Sequence, residues 1–132
     1  LYVCGADLGG AYGEDRVRRA AESLDLLIYQ GSNANATSAL AGLVLPSAVY
    51  AEKDGTFTNV QGRVQRIRRA VPPLGEARPD WQILLELAKA MAVLWALGDA
   101  EAVFRDLASH EAAFTGLSYE ALGDQGMMLD GR

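Results

Sequence analysis

Residues 26–46 read LLIYQGSNANATSALAGLVLP, and the alternation of apolar and polar pieces in this stretch decides the fold. LLIYQ, residues 26–30, has the character of a buried strand. GSNANATSALAG supplies a polar loop and a short helix around 36–41, with Asn35 or Asn33 placed to cap it. LVLP, residues 43–46, is another apolar strand, and Pro46 ends it or marks its edge. Working outward, LYVCGA (1–6) is a short apolar run that enters the Gly-rich turn DLGGAYG. From Glu14 to Leu24 the apolar residues Val17, Ala20, Ala21 and Leu24 recur at i, i+3, i+4 and i+7, which is one face of a helix. Glu14 and Asp15 open that helix, where acidic groups suit the dipole. Arg16, Arg18 and Arg19 fall on its outer, solvated face. Strand, helix, strand, helix, strand with short connections predicts an α/β fold, a parallel sheet covered by helices.

The later chain is less regular. Residues 47–79 show no period, and Asp54-Gly55, Gly62, Pro72-Pro73 and Gly75 punctuate them. They read as a long extended segment over the sheet, with one hairpin-like element within it. So long an irregular stretch in a compact domain is normally functional or covered by a partner. Gly55 and Gly62 are expected to supply positive φ at its turns. Asp80, just after Pro79, is predicted to cap a helix over 81–97. Trp81, Leu84, Leu85, Ala88, Ala92 and Trp95 form one stripe on it, and Ile83, Leu87, Ala90, Leu94 and Leu97 a second, so both sides are expected to be covered. Asp99 caps a further helix to about Phe114, with Val103, Phe104, Leu107 and Ala108 inward. Ser118 caps a last short one, SYEAL, ended by Gly123.

The chain has 132 residues, half of them apolar and 22% charged, which is globular composition with room for a core. It reads as a single α/β domain over 1–132. It begins on Leu1 without a signal-peptide pattern, and LYVCGA reads as the start of a piece cut from something longer. No apolar run reaches the roughly 18 residues of a membrane span. A net charge of −5 argues against general nucleic-acid binding. Cys4 is the sole cysteine and is expected to be a small buried apolar residue. His110 is placed on the surface or at the cap of a late helix. No cluster of metal ligands and no nucleophile–base pair stands out, so no catalytic and no metal-binding residues are assigned. GADLGG (5–10) has some features of a phosphate turn but matches neither glycine-rich fingerprint, and a plain strand-to-helix turn is preferred. The carboxyl ends of the three strands, Asp7–Gly10, Gln30–Asn33 and Ser47–Glu52, are positioned to form one cleft. Arg63, Arg66, Arg68 and Arg69 read as partners of the chain's own carboxylates or of another protein, because no aromatic residues interleave with them.

One longer stretch is more specific. ATSALAGLVLPSAVYAEKDGTFTNVQGRVQRIRRAVPPLGEARPDWQILLELAKAM, and within it EKDGTFTNVQGRVQ, resembles the molybdopterin oxidoreductase superfamily. That superfamily includes formate dehydrogenases, nitrate reductases and the large iron–sulfur subunit of respiratory complex I. The resemblance implies a Rossmann-like, formate dehydrogenase-type α/β domain, a fragment of a larger multidomain subunit. In relatives that carry the cofactor, this region helps to hold a guanine-dinucleotide arm. The pattern's Lys is present as Lys53 and its Asp before the helix Trp as Asp80, so these two are the implied cofactor-binding positions, in vestigial form. Its first-turn Asn falls on Asp7, its Asp after the second strand on Gly31, and the E of E-G-R on Gln61. These departures fit a domain that keeps the fold and has lost the cofactor, and VPPLGEARPDW looks most like the complex I subunit.

The expectation is therefore a structural domain of that NADH:quinone oxidoreductase component, without a redox centre or cofactor of its own, in a parent polypeptide carrying iron–sulfur clusters. Its implied partners are the other domains of the same polypeptide and other complex I subunits, with no nucleic acid and no direct membrane insertion. Its implied location is cytoplasmic, peripheral to the inner membrane through the complex. The alternative is a fragment of a molybdenum or tungsten enzyme of the formate dehydrogenase type that shares in binding molybdopterin guanine dinucleotide. A third reading is a separate small-molecule or nucleotide-binding module.

Overall fold

The computed structural model describes residues 1–129. These fall into two compact units, one made of residues 1–49 and 73–83, the other of residues 50–72 and the described residues from Leu84 on.

The first unit holds the parallel sheet. β1 (Tyr2–Cys4), β2 (Ile28–Gly31) and β3 (Leu43–Pro46) lie side by side in that order. Tyr2 pairs with Ile28, and Gln30 with both Cys4 and Leu45, all in parallel register. α1 (Leu8–Tyr12) and α2 (Glu14–Ala21) connect β1 to β2, and α3 (Ala36–Leu40) connects β2 to β3. Side chains alternate between the faces of a strand. Val3, Leu27 and Tyr29 therefore share one face and pack with Leu8, Ala21 and Leu40 from the three helices. Gly9 lets α1 approach α3, since a β-carbon there would stand 2.5 Å from that of Ala36. Asn35 caps α3 by accepting from the Ser38 N–H, while the Ser38 hydroxyl accepts from the Asn35 N–H. Beyond β3 the chain returns alongside it: Arg78 N–H donates to Pro46 O at 3.1 Å, and Ala48 N–H to Arg78 O at 2.8 Å.

The second unit is antiparallel. β4 (Gly55–Thr58), β5 (Arg63–Ile67) and β6 (Met127–Met128) form its sheet. In the β4–β5 turn Asn59 Oδ1 accepts from the N–H groups of Gln61 and Arg63, and Gly62 has φ +84°. α4 (Asp80–Ala90) starts in the first unit and continues in the second; α5 (Ala100–His110) and α6 (Tyr119–Leu122) complete the latter. Val64, Phe104, Leu117, Tyr119 and Leu122 make the core of this unit, with Phe104 edge-on to Phe114 and 5.5 Å from Tyr119 between ring centroids. Among the described residues no helix is long and apolar enough to cross a membrane.

Several expectations are corrected. The segment read as extended chain over the sheet does hold the expected hairpin, β4–β5, but also a 3-10 turn at Tyr50–Glu52, and residues 50–72 belong to the second unit. Gly55 does not take positive φ, because it pairs as ordinary strand with Ile67. The helix expected over 81–97 stops at Ala90. Ala92 turns left-handed at φ +62°, with Val93 N–H bonded to Ala88 O and Ala92 N–H to Lys89 O, the double bond pattern that closes many helices. Apolar periodicity is blind to such a stop. In consequence the residues beyond it are uncovered: Leu94 is 83% exposed and Trp95 55%. The next helix ends at His110 rather than Phe114, and a separate 3-10 turn follows at Ala112–Phe114. Cys4 is exposed, not buried. It sits on an edge strand and points away from the face that the three helices cover.

Candidate functional site

The carboxyl ends of β1, β2 and β3 bring polar side chains together. Gln30 is fully buried at the end of β2. Its Oε1 accepts from the Tyr2 hydroxyl, and its Nε2 donates to Asp80 Oδ1 at 2.8 Å. A carboxylate can only accept, so the amide nitrogen must face Asp80. Asp80 stands at the start of α4, where the carbonyl of Pro79 accepts the first helical bonds, from Gln82 and Ile83. Ser47 extends the line of β3, its N–H bonding to Gly31 O at 3.0 Å, and its hydroxyl is buried without a hydrogen-bond partner. Alternation from Leu45 puts Ser47 on the same face as Gln30. Burial raises the hydroxyl pKa of Tyr2, and the negative charges of Cys4 and Asp80 push it further up.

The turn after β1 is differently occupied. Thr37, fully buried on α3, accepts through Oγ1 from the N–H groups of Leu8 at 2.7 Å and Gly9 at 3.4 Å, and donates to Asp7 Oδ1 at 3.3 Å. Two N–H groups that a phosphate would need are thus bound internally, and a carboxylate stands beside them. The plain-turn reading of GADLGG holds, and the departure from Asn to Asp at position 7 has a structural use.

Gly31 also has a reason. A β-carbon there would fall 2.5 Å from the Tyr29 hydroxyl oxygen. That hydroxyl donates to Asn33 O at 3.4 Å and accepts from Asn35 Nδ2 at 2.7 Å, holding the aromatic ring across the glycine. An acid at position 31 and this ring position exclude one another.

Of the two residues implied by resemblance, Asp80 lies in this site. Lys53 lies in the second unit, just after the 3-10 turn. The arginine patch resolves into separate contacts. Arg68 pairs with Asp124 at 3.3 Å, Arg63 donates to Gln125 O, and the Arg66 guanidinium lies 4.3 Å from the Tyr119 ring centroid. The aromatic partner that sequence spacing did not show comes from far along the chain. His110 ends α5, exposed, with Nδ1 2.9 Å from Asp106 O. Sequence reading placed Gln30 and Ser47 at the right strand ends but gave them no role. Their polarity at the end of apolar runs was the available signal.

Three parallel strands covered by helices, with polar residues gathered at their carboxyl ends, define an α/β domain of the open-sheet class. Within that class the chain belongs to the molybdopterin oxidoreductase family: residues 1–90 match the family described as Molybdopterin oxidoreductase. It is 41% identical over 130 residues to the F420-dependent formate dehydrogenase 2 subunit alpha of Methanococcus maripaludis, covering 96% of this chain and 19% of that protein. It is 48% identical over 88 residues to the NADPH-Fe(3+) oxidoreductase subunit alpha of Geobacter sulfurreducens, covering 66% of this chain and 10% of that protein. The fold is shared with acetylene hydratase from Pelobacter acetylenicus, at TM-score 0.69 and 18% identity, over 97% of this chain and 18% of that one. The chain thus spans about a fifth or less of these relatives.

Asp80 and Ser47 fit the nucleotide end of a guanine-dinucleotide cofactor. One is a carboxylate that can accept from the N–H edge of a guanine, and the other a buried hydroxyl without a partner. The turn closed by Thr37 and Asp7 does not fit a pyrophosphate.

Proposed function

We propose that this chain is the part of a formate dehydrogenase-type alpha subunit that holds the guanine end of a molybdopterin guanine dinucleotide. Relatives named as formate dehydrogenase alpha subunits favour this reading over the complex I component. The observation that carries it is the buried, unpartnered Ser47 hydroxyl at the same strand ends as Asp80. A buried hydroxyl without a partner costs stability, and a ligand would relieve it. Asp80 accepts from the base, and Ser47 donates to or accepts from the nucleoside. The molybdenum or tungsten of the whole enzyme supplies the oxidation–reduction chemistry when bound; this chain orients the nucleotide and shields it from water. The pyrophosphate is held by other parts of the longer polypeptide.

Calorimetric titration of the chain tests this. Guanosine and GDP are expected to bind comparably, with pyrophosphate not competing. Ser47→Ala is expected to leave folding stability unchanged or slightly raised, and to weaken GDP binding by roughly tenfold. Equal competition by pyrophosphate, or no saturable GDP binding, would overturn the reading.

A further inference from the structure

The helix stripe that the sequence declares most clearly is the one the first unit leaves open. α2 carries Val17, Ala20 and Ala21 on one face, with Leu24 a turn further on, yet none of its own residues is buried and Leu24 is 37% exposed. Such a stripe normally faces a core. Beside it runs a cleft of about 220 Å³. Leu8 and Tyr12 line it from α1, Val17 and Ala20 from α2, and Leu24 and the buried Leu27 from the chain beyond. Leu8 and Ala21 also pack on the sheet core, so the cleft is an unfinished edge of that core. Leu27 stands at the amino end of β2, away from Gln30 and Ser47 at the carboxyl ends. An apolar cavity of about 150 Å³ accepts benzene, so there is room here for a large side chain. Arg16 is the one charged side chain among the lining residues, and no carboxylate among the described residues pairs with it.

We infer that this cleft seats another segment of the longer polypeptide, which inserts a large apolar side chain between α1 and α2 and sets an acidic residue against Arg16. The inference rests on the longer polypeptide of the reading above and is independent of its nucleotide. The chain corresponds to 19% of the formate dehydrogenase relative with which it shares 41% identity, so most of such a polypeptide remains to supply the segment. Nine residues line the cleft, whereas a second copy needs about 20–30 residues a side for a stable interface. A segment of the same polypeptide escapes that requirement, because its effective concentration at the cleft reaches the order of millimolar. The apolar lining calls for a carbon side chain, and the guanidinium at Arg16 for a carboxylate. Apolar filling carries most of the effect, since an exposed ion pair contributes little.

Thiol labelling read by peptide mass spectrometry tests it, in this chain and in the whole alpha subunit. Ala20→Cys and Leu24→Cys report on the cleft, and Arg19→Cys on the outer face of α2; two cleft positions keep the test open if one variant does not fold. In the chain all three are expected to label at similar rates. In the whole subunit the two cleft positions are expected to slow roughly tenfold or more, with Arg19→Cys within about twofold of its rate in the chain. Adding Arg16→Glu is expected to speed labelling of Ala20→Cys roughly two- to threefold in the whole subunit and to leave the chain unchanged. Equal rates in chain and whole subunit would overturn the proposal. So would labelling of the chain that slows as its concentration rises, which would seat a second copy in the cleft. Protection of the whole subunit that is lost on dialysis against albumin would overturn it too, in favour of a small apolar molecule. GDP titration of the same variants is expected to match the unmodified chain, so this proposal and the nucleotide reading fail separately.

Discussion

The two units bury different chemistry. All three buried polar residues among the described ones, Gln30, Thr37 and Ser47, belong to the parallel first unit. The second unit closes over Val64, Phe104, Leu117, Tyr119 and Leu122, and keeps most of its arginine contacts at the surface. Burying a polar group is costly unless it is bonded, so a fold keeps such groups inside only where they organise something. Thr37 organises a helix start, and Gln30 links Tyr2 to Asp80. Ser47 has a buried hydroxyl without a partner, as have Arg66 Nε and the Tyr119 hydroxyl in the second unit, and it is the one that lies at the strand ends where the nucleotide is proposed to bind. In the second unit, aromatic packing and the Arg66–Tyr119 stack hold a framework.

Three further measurements would sharpen or break this contrast. The largest effect is expected from Phe104→Ala, which empties the centre of the second core and should cost about 3–5 kcal/mol in urea unfolding. A smaller loss is expected from Thr37→Val, which keeps the shape but leaves the Leu8 and Gly9 N–H groups without their acceptor, at about 1–3 kcal/mol. If Thr37→Val proved the more damaging, polar burial rather than apolar packing would dominate the stability. The smallest effect concerns alkaline pH. Burial raises the pKa of both Tyr2 and Tyr119; Cys4 and Asp80 add to the rise at Tyr2, whereas Arg66 opposes it at Tyr119. A raised folded-state value means stability is fully present below the ordinary tyrosine pKa of about 10 and declines as pH climbs through the folded-state value. Unfolding followed from about pH 9 upward should show that decline, flattened in Tyr2→Phe and in Tyr119→Phe. A slope unchanged in both variants would remove the tyrosines from the account.

Much of the first unit was legible because its signals are local. LLIYQ and LVLP declare strands, Asn33 and Asn35 offer a cap for the helix between them, and the order of pieces declares parallel pairing. The segment around Gly55 and Gly62 was harder. Its hairpin rests on the Asn59 turn and on pairing with β6, far along the chain. The stop at Ala92 was invisible, since left-handed alanine has no compositional mark. At the site, Asp80 was visible through the family pattern; Lys53, equally visible there, belongs to the second unit. Tyr2 and Gln30 were not legible as partners.

The sequence by itself determined the α/β class, the parallel pairing of the first three strands, the helix caps at Asp99 and Ser118 and membership of an oxidoreductase family. These follow from neighbours a few residues apart, whose periodicity and turn chemistry act before the chain is folded. Only the tertiary structure decided that Gln30 meets Asp80 across 50 residues, that Thr37 closes the first turn, and that Ser47 is left with a hydroxyl to offer. Such contacts depend on which strand lies beside which and on the face each side chain takes, so they exist only once packing has fixed both.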